Sequence, residues 1–231
     1  MKTSSYFFQF PEGSFWRFFA KLSRLSRKRK FDLFMKTFSP DQETKILDAG
    51  AFGGRGLEKL KNYWPINFLE KWYPYKDKLT ALGVTDLAGL QRMYPEIRAV
   101  RYQGNVFPFK DKEFDLVFSN AVIEHVGSRQ NQQFFLDEII RVGRKAFITT
   151  PNRWFFLEMH TWFPFLHWLP QPWFGKLVGL FGRSYWGSEK NLNLLSPMSI
   201  HKLLKKYSGR SNVKMKWNLF TPDVIILINS F

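Results

Sequence analysis

The sequence predicts an α/β fold with a mostly parallel sheet and helices on both faces. From residue 45 onward, short apolar runs alternate with amphipathic stretches, which is the pattern of strands joined by helices. A glycine-rich turn directly follows the first apolar run, as happens where a strand passes into a helix beside a ligand. With 231 residues and no internal repeat, the chain is long enough to enclose one well-buried core.

The apolar runs predict a series of strands in order along the chain. They cover residues 45–49, 79–84, 99–102, 114–119 and 146–150, followed by 213–219 and 224–228. The last two are expected to pair antiparallel through a turn at Thr221, Pro222 and Asp223. Helices are predicted from three- and four-residue apolar spacing near residues 56–63, 87–94, 130–142 and 197–207. Gly143 is expected to stop the helix at 130–142.

Residues 1–40 predict an amphipathic helical cap that precedes the main domain at 41–231. Apolar residues recur at helical spacing from Phe15 to Phe38, around a basic run at residues 24–30. One or two helices fit this pattern, and Ser39 and Pro40 mark its end. The cap is the favoured interpretation, because apolar helix faces usually pack on the domain that follows. The alternative is a helix lying on an anionic membrane surface, with its aromatic residues in the lipid.

Residues 152–196 interrupt the regular pattern with a segment dense in Trp, Phe and Pro. Such a segment is too apolar to be a solvated linker, so we expect it to fold over the sheet. It is predicted to form a substrate pocket or a lid above it. Asn152, Trp154, Glu158 and His160 place polar groups among aromatic rings here, as a pocket with few specific contacts requires.

The composition is basic and aromatic. The chain has 35 Lys and Arg against 19 Asp and Glu, a formal charge of +16, and 26 Phe. This charge attracts polyanions, which include nucleic acid, anionic lipid and phosphorylated substrates. A basic surface without a specific partner is an equal alternative.

Several classes of protein are excluded or disfavoured by what the sequence lacks. There is no cysteine and therefore no disulfide, and the four histidines show no metal-ligand spacing. No apolar run is long enough to span a membrane, and no signal-peptide pattern is present at the start. We therefore expect a cytoplasmic protein without a metal, in peripheral contact with a membrane at most.

Polar residues follow the predicted strands in the order that a nucleoside-binding sheet requires. The first strand runs into Asp48, Gly50, Ala51, Phe52, Gly53 and Gly54, where glycine allows a tight turn and a close approach to a ligand. Asp86 ends the second strand, where a carboxylate can accept both ribose hydroxyls. Asn105 and Val106 follow the third strand. The fourth strand, FDLVFSN, leads directly into AVIEHV.

With these motifs, the chain resembles the class I S-adenosylmethionine-dependent methyltransferases, especially bacterial small-molecule enzymes with an FDLV strand and an EHV segment. The resemblance covers roughly residues 30–155 and implies a Rossmann-like sheet of seven strands with the last strand antiparallel. It also implies roles for the matching residues. Asp48, Gly50, Gly53 and Gly54 would shape the methionine end of the cofactor site, Asp86 and Leu87 would hold the ribose, Asn105 and Val106 the adenine, and Asn120 and Ala121 would lie beside the sulfonium.

Two departures from the family pattern lie within these motifs. Ala51 and Phe52 stand where the family has Cys and a second Gly, although Gly53 and Gly54 restore the glycines after a one-residue gap. Asn105 replaces the commoner Asp, but its amide oxygen can still accept from the adenine amino group. A descendant that binds the cofactor without catalysis is therefore an alternative.

The chemistry implied is an in-line methyl transfer, in which the protein mainly aligns donor and acceptor. A base is needed only when the acceptor loses a proton, and His125 is the candidate for that role. A histidine that only packs and hydrogen-bonds the cofactor loop is an equal alternative. The acceptor is expected to be a small molecule or a lipid-linked or sugar-linked compound.

Other functions compete with this interpretation. The charge and aromatic content also suit an RNA-directed methyltransferase or a nucleic-acid-binding protein, but the basic residues are spread along the chain and no recognisable nucleic-acid motif occurs. An NAD-dependent oxidoreductase shares the glycine-rich turn and the acidic strand end. The first-loop spacing and the FDLV and EHV segments favour the methyltransferase.

Overall fold

Seven strands form one sheet in the order β3-β2-β1-β4-β5-β7-β6. The computed structural model describes residues 14–53, 66–207, 209, 212–217 and 222–229, with side chains described from residue 20 onward. The strands are β1 (Ile46–Ala49), β2 (Leu79–Gly83), β3 (Arg98–Arg101), β4 (Phe114–Asn120), β5 (Gly143–Pro151), β6 (Asn212–Lys216) and β7 (Asp223–Asn229). Strand β2 pairs parallel with β1 and β3, and β4 pairs parallel with β5. Strand β7 runs antiparallel to β5 and β6, so the predicted fold class is confirmed.

The chain divides between Asn105 and Val106 into two compact units. In the first unit, every residue of β1 and β2 is buried, including Asp48 and Thr80, because both strands are mostly apolar and lie between neighbouring strands. Strand β3 lies at the sheet edge and is partly exposed. The helix predicted at 87–94 is present as Ala88–Met93, whereas the helix predicted at 56–63 lies outside the described residues.

Helix α1 (Ser14–Phe38) precedes the sheet. Phe31 and Phe34 in its second half are buried, and the Phe31 ring lies 5.7 Å from that of Trp72 on α2 (Phe68–Trp72). This half of α1 therefore covers the core of the first unit as a cap. Leu22 and Leu25 are exposed. The side chains of Phe15, Trp16, Phe18 and Phe19 lie outside the described part, so the membrane alternative for this helix stays a prediction.

Helix α3 (Ala88–Met93) belongs to the first unit, and helix α4 (Arg129–Val142) belongs to the second. Helix α4 begins after Ser128, whose hydroxyl accepts the amide of Asn131 as an N-cap. It ends at Gly143, as predicted. A Cβ on Gly143 would lie 2.5 Å from the Val117 side chain, so glycine is also required for the chain to pass close to β4.

The aromatic segment at 152–196 contains two helices that the sequence analysis did not predict, α5 (Gln171–Leu180) and α6 (Ser184–Gly187). They approach closely, since a Cβ on Gly175 would lie 2.7 Å from the Gly187 carbonyl oxygen. The segment also has its own small apolar core, formed by Phe174, Val178, Trp186, Leu192 and Leu194. It is therefore a packed structure, as expected for a segment so rich in aromatic residues.

The chain ends with α7 (Pro197–Leu204), a short turn at Lys205–Tyr207, and the antiparallel pair β6 and β7. The predicted helix at 197–207 thus splits into an α-helix and a 3-10 turn. The predicted connection between β6 and β7 includes Thr221, which lies outside the described residues. Among the ranges given above, no helix is both long and apolar enough to cross a membrane.

Candidate active site

The glycine-rich loop after β1 turns sharply at Gly50, whose φ of 120° is a conformation that glycine adopts readily and other residues rarely do. The amides of Gly50 and Ala51 both donate to the carbonyl of Leu82 on β2, each at 2.9 Å. The turn therefore joins the carboxyl ends of the first two strands.

The next part of the loop packs against the turn between β2 and α3. The side-chain amide of Asn67 makes two hydrogen bonds with the backbone of Phe52. Its oxygen accepts from the Phe52 N–H at 3.1 Å, and its nitrogen donates to the Phe52 carbonyl at 2.7 Å. The Gly53 amide donates to the Thr85 hydroxyl at 3.2 Å. A Cβ on Gly53 would lie 2.2 Å from the Asp86 carbonyl oxygen, so only glycine permits this approach. Gly54 lies outside the described residues.

Asp86 presents an exposed carboxylate at the end of β2. One oxygen accepts the Ala88 amide at 3.0 Å, and the remaining lone pairs can accept hydroxyl protons. Leu87 beside it is buried, at 4% exposure. Asn105 is exposed, after a turn in which Gly104 has a φ of 81°. These groups fit the ribose hydroxyls and the adenine amino group of a nucleoside. Val106, in the second unit, is also exposed.

Asp48 in the same unit is buried against Glu70, a residue of α2 that the sequence analysis missed. Burial raises the pKa of the Asp48 carboxyl well above its ordinary value, and the charge of Glu70 raises it further. Burial also raises the pKa of Glu70. This carboxyl pair therefore favours a bound proton, which limits the negative charge beside the glycine-rich loop.

At the end of β4, in the second unit, Asn120 and Ala121 are fixed to β5. The Asn120 side-chain oxygen accepts from the Thr149 hydroxyl at 2.8 Å, and the Ala121 amide donates to the Thr149 carbonyl at 2.9 Å. Ala121 has a φ of 54°, which is unusual for a residue with a side chain and is often found at functional sites.

Directly after this turn, Glu124 is completely buried. Its Oε2 accepts from the Thr150 hydroxyl at 2.9 Å. Burial raises the pKa of this carboxyl to about 7, because the charged form loses its hydration. Glu124 can therefore exist in both protonation states near neutral pH.

His125 is held through its Nδ1, which donates to the carbonyl oxygen of Asn191 at 2.8 Å. This bond requires the proton on Nδ1 and leaves a lone pair on Nε2. The Nε2 atom lies 3.8 Å from Glu124 Oε1. Burial lowers the pKa of His125 to about 4, and the neighbouring charge of His160 adds to this shift. The imidazole is thus neutral at pH 7 and has an atom able to accept a proton.

Glu158 and His160, both predicted as acceptor-binding residues, lie beside His125. The His160 Nδ1 donates to Glu158 Oε1 at 2.6 Å, and the rings of the two histidines are 4.8 Å apart. Burial alone would raise the pKa of Glu158, but the contact with His160 outweighs it and lowers that pKa to about 2. Burial would lower the pKa of His160, and the Glu158 carboxylate raises it instead. The Trp186 ring packs against the His160 ring, with 4.7 Å between the ring centres.

We refer to Glu124, His125, Glu158, His160 and Trp186 as the imidazole cluster. Sequence reasoning named the two histidines and Glu158. Glu124 was recognised only as part of the AVIEHV motif, although its position directly before His125 could have identified it as a candidate site residue. Trp186 and the Asn191 carbonyl were missed, because they come from distant parts of the chain and no local pattern marks them.

The other two predicted acceptor-binding residues have different surroundings. Asn152 is buried, and its side-chain oxygen accepts the Trp154 amide at 3.0 Å, which shapes the turn after β5. Trp154 is 39% exposed and its ring lies 6.2 Å from that of Trp168. These contacts place Trp154 on an aromatic surface, and its role toward an acceptor stays a prediction.

Comparison with known proteins agrees with the predicted fold. Residues 47–146 match the family model described as a methyltransferase domain. This range includes the glycine-rich loop, Asp86, Asn105, Asn120 and His125. No curated protein matches the chain in sequence.

Several solved structures resemble the chain at low sequence identity. A protein from Pyrococcus horikoshii is 13% identical, with 96% of this chain and 100% of that chain covered and a TM-score of 0.57. An S-adenosylmethionine-dependent methyltransferase from Aquifex aeolicus is 12% identical, with coverage of 90% and 94% and a TM-score of 0.52. The N-methyltransferase NodS from Bradyrhizobium japonicum, solved with S-adenosylhomocysteine, is 12% identical, with coverage of 88% and 86% and a TM-score of 0.52. At these identities the likeness shows the shared fold.

Proposed function

Because the chain is a class I S-adenosylmethionine-dependent methyltransferase, we propose that it methylates an acceptor that must lose a proton, with His125 as the general base. The observation that carries this proposal is the lone pair on His125 Nε2, in a ring held by the Asn191 carbonyl. The acceptor class proposed is a small amphiphilic molecule, including lipid-linked and sugar-linked compounds. Its nucleophile would be a hydroxyl or an amine.

The cofactor residues are proposed from the order of the motifs along the chain. S-adenosylmethionine, when bound, supplies a methyl group that is already activated by the positive sulfonium. The exposed Asp86 carboxylate would hold the ribose with Leu87 packed beside it, and the exposed Asn105 amide and Val106 would bind the adenine. The remaining proposed contacts are Asp48, Gly50, Gly53 and Gly54 toward the methionine end, and Asn120 and Ala121 toward the sulfonium.

The proton of the acceptor is the group that the protein must move. As the bond between nucleophile and methyl forms and the bond between sulfur and methyl breaks, the acceptor proton passes to His125 Nε2. The resulting imidazolium is acidic, because burial and the nearby His160 both disfavour its charge. Ionised Glu124, with Oε1 at 3.8 Å from Nε2, would stabilise it. The carboxylate of Glu158 holds His160, and these two residues position the ring of His125.

This arrangement predicts that kcat depends on pH. Glu124 has a pKa of about 7, so its carboxylate is mostly protonated below that pH and ionised above it. We expect kcat to rise with pH through about 7 and then to level off. In Glu124→Gln the rise should be absent and kcat should stay at the low-pH level.

The function is tested by incubating the protein with S-adenosylmethionine that carries a labelled methyl group. Lipid extract, aqueous small molecules and total RNA are offered separately as acceptors. Label is expected in the lipid or small-molecule fraction, and labelling of RNA alone would overturn the proposed acceptor class.

The base is tested on the fraction that accepts label. His125→Gln should lower kcat by about 10²- to 10⁴-fold, the usual contribution of general base catalysis, without weakening cofactor binding. His201→Gln is a matched control, because His201 is exposed on α7. An unchanged kcat in His125→Gln would limit His125 to a packing role.

A further inference from the structure

Four exposed rings of the segment 152–196 form a continuous surface, which we call the aromatic patch. It consists of Trp154 (39% exposed), Phe156 (50%), Phe165 (52%) and Trp168 (42%). Neighbouring rings contact each other at 6.2 Å for Trp154 and Trp168, 5.0 Å for Phe165 and Trp168, and 6.4 Å for Phe156 and Phe165. Single exposed aromatic residues are ordinary, but a connected group marks an interaction surface.

The backbone holds these rings outward. The Phe165 amide donates to the Phe156 carbonyl at 2.7 Å, beside an antiparallel bridge between Leu157 and Pro164. Phe165 has a φ of 61°, a conformation that disfavours bulky side chains and persists only where the surroundings enforce it. The same hairpin also carries Glu158, which is buried, and His160, which is partly buried. One hairpin thus presents both an exposed aromatic surface and part of the imidazole cluster.

Cationic side chains lie against two of the exposed tryptophans of this segment. The Arg153 guanidinium lies 6.0 Å from the Trp154 ring, and the Lys176 ammonium lies 5.7 Å from the ring of Trp173, which is 63% exposed. Residues 159–188 contain no Asp or Glu. Glu158 is buried and paired with His160, so it does not offset this charge at the surface.

We propose that the aromatic patch docks the enzyme on an anionic lipid surface. Tryptophan favours the boundary between lipid and water, because its ring is apolar and its N–H can remain hydrated. Lys and Arg beside it can reach lipid phosphates while their stems lie on apolar surface. The inference goes beyond methyl transfer, and it rests on the proposed function only in placing an amphiphilic acceptor near the hairpin that carries His160.

The contacts favour lipid over single-stranded nucleic acid and over a second copy of the chain. Trp168 meets Trp154 and Phe165 edge to face, with interplanar angles of 74° and 76°, so neither ring pair forms a parallel slot into which a base could stack. Two aliphatic side chains of the same segment are also exposed, Leu169 at 38% and Leu180 at 81%, and these suit acyl chains. A second copy would bring the same cations together, which opposes self-association.

The test is sedimentation with vesicles of phosphatidylcholine alone and of phosphatidylcholine with phosphatidylglycerol, at low and high salt. We expect binding to the anionic vesicles only, weakened by salt because the charges are screened within about 10 Å at 0.1 M salt. Trp168→Ser should weaken partitioning by at least about fivefold, since it removes the central ring of the aromatic patch. Trp217→Ser is the matched control, because Trp217 has the same 42% exposure and lies near β6.

Equal loss in the two variants, or no binding to anionic vesicles at low salt, would overturn the proposal. Loss of a dimer in Trp168→Ser, seen by analytical ultracentrifugation without vesicles, would assign the aromatic patch to self-association, and selective loss of oligonucleotide binding would assign it to nucleic acid. Calorimetry with S-adenosylmethionine separates this test from the proposed function, because both variants should keep the wild-type cofactor affinity.

Discussion

The protonation states of the site are set by which groups are buried and which are exposed. Glu124 and His125 are adjacent in sequence, yet burial moves their pKa values to about 7 and about 4, so both approach their neutral forms. Glu158 and His160 respond in the opposite way, because their direct contact favours the charged pair.

Asp86 is the residue whose replacement should most clearly weaken cofactor binding. Asp86→Ala is expected to cost about 1.5 to 3 kcal/mol for each hydrogen bond to the ribose, the usual range for hydrogen bonds to a charged group. Calorimetric titration with S-adenosylhomocysteine measures this change. Asp86→Asn retains an acceptor for the Ala88 amide, and so separates loss of the charge from loss of that hydrogen bond. The exposed Asp77→Ala is the control, and equal affinity in Asp86→Ala and Asp77→Ala would refute the ribose assignment.

A site residue could be predicted from the sequence only where a motif in the neighbouring residues marks it. Asp48, His125, Glu158 and His160 could be named because each lies in or directly after a motif. Glu70 could not, since its only relation to Asp48 is that α2 brings it beside β1. Likewise, the Asn191 carbonyl fixes the His125 tautomer across a separation of 66 residues. Such contacts arise from the fold and leave no pattern in a single sequence.

Among the elements, strands were predicted better than helices. Each of these buried strands contains a short apolar run, so β1, β2, β4 and β5 were found with small errors at their ends. Helices α5 and α6 were missed, because Pro172 and the glycines hide the apolar periodicity of a short helix pair. What stabilises this pair is the close approach of Gly175 and Gly187, together with the small core around Phe174.

The close contact between α5 and α6 gives a prediction with a control on the same helix. Gly175→Ala places a Cβ 2.7 Å from the Gly187 carbonyl and should lower the free energy of unfolding by about 1 to 3 kcal/mol. Gly179→Ala has no atom within 4 Å of its new Cβ, and should raise stability by about 0.4 to 1 kcal/mol through reduced freedom of the unfolded chain. Urea unfolding of both variants measures the difference. If the two variants changed stability equally, the packing of α5 on α6 would not have the proposed importance.

For the whole molecule, the basic charge and the buried carboxyls affect stability in different ways. The formal charge of +16 acts between exposed groups and is reduced by salt. Buried Asp48, Glu70 and Glu124 have raised pKa values, because the folded protein disfavours their charged forms. Glu138 has the opposite shift, since two hydrogen bonds from Arg141 and one from the Phe107 amide favour its carboxylate and lower its pKa despite burial. Stability as a function of pH therefore reports on the interior more than on the surface.

Glu124 should make the folded protein less stable as the pH rises. Its pKa is about 4.5 in the unfolded chain and about 7 in the folded protein, so the folded state binds the proton more tightly. The stabilisation this provides is complete below about pH 4.5 and is lost as the pH rises through about 7, a difference of about 3 kcal/mol at 1.36 kcal/mol per unit. Glu124→Gln keeps an acceptor for Thr150 without the charge, and should therefore be nearly neutral at about pH 5 and stabilising at about pH 8.5.

Urea unfolding at these two pH values compares Glu124→Gln with Glu138→Gln. For Glu138 the sign is reversed, because its lowered pKa contributes stability above about pH 4.5 that is lost as the pH falls through the folded value. Glu138→Gln should thus be destabilising at about pH 8.5, where Glu124→Gln is stabilising. The same Glu124→Gln protein is expected to lose the rise of kcat through about pH 7. A variant that gained stability at high pH but kept that rise would show that Glu124 is a buried acid with no part in the base function of His125.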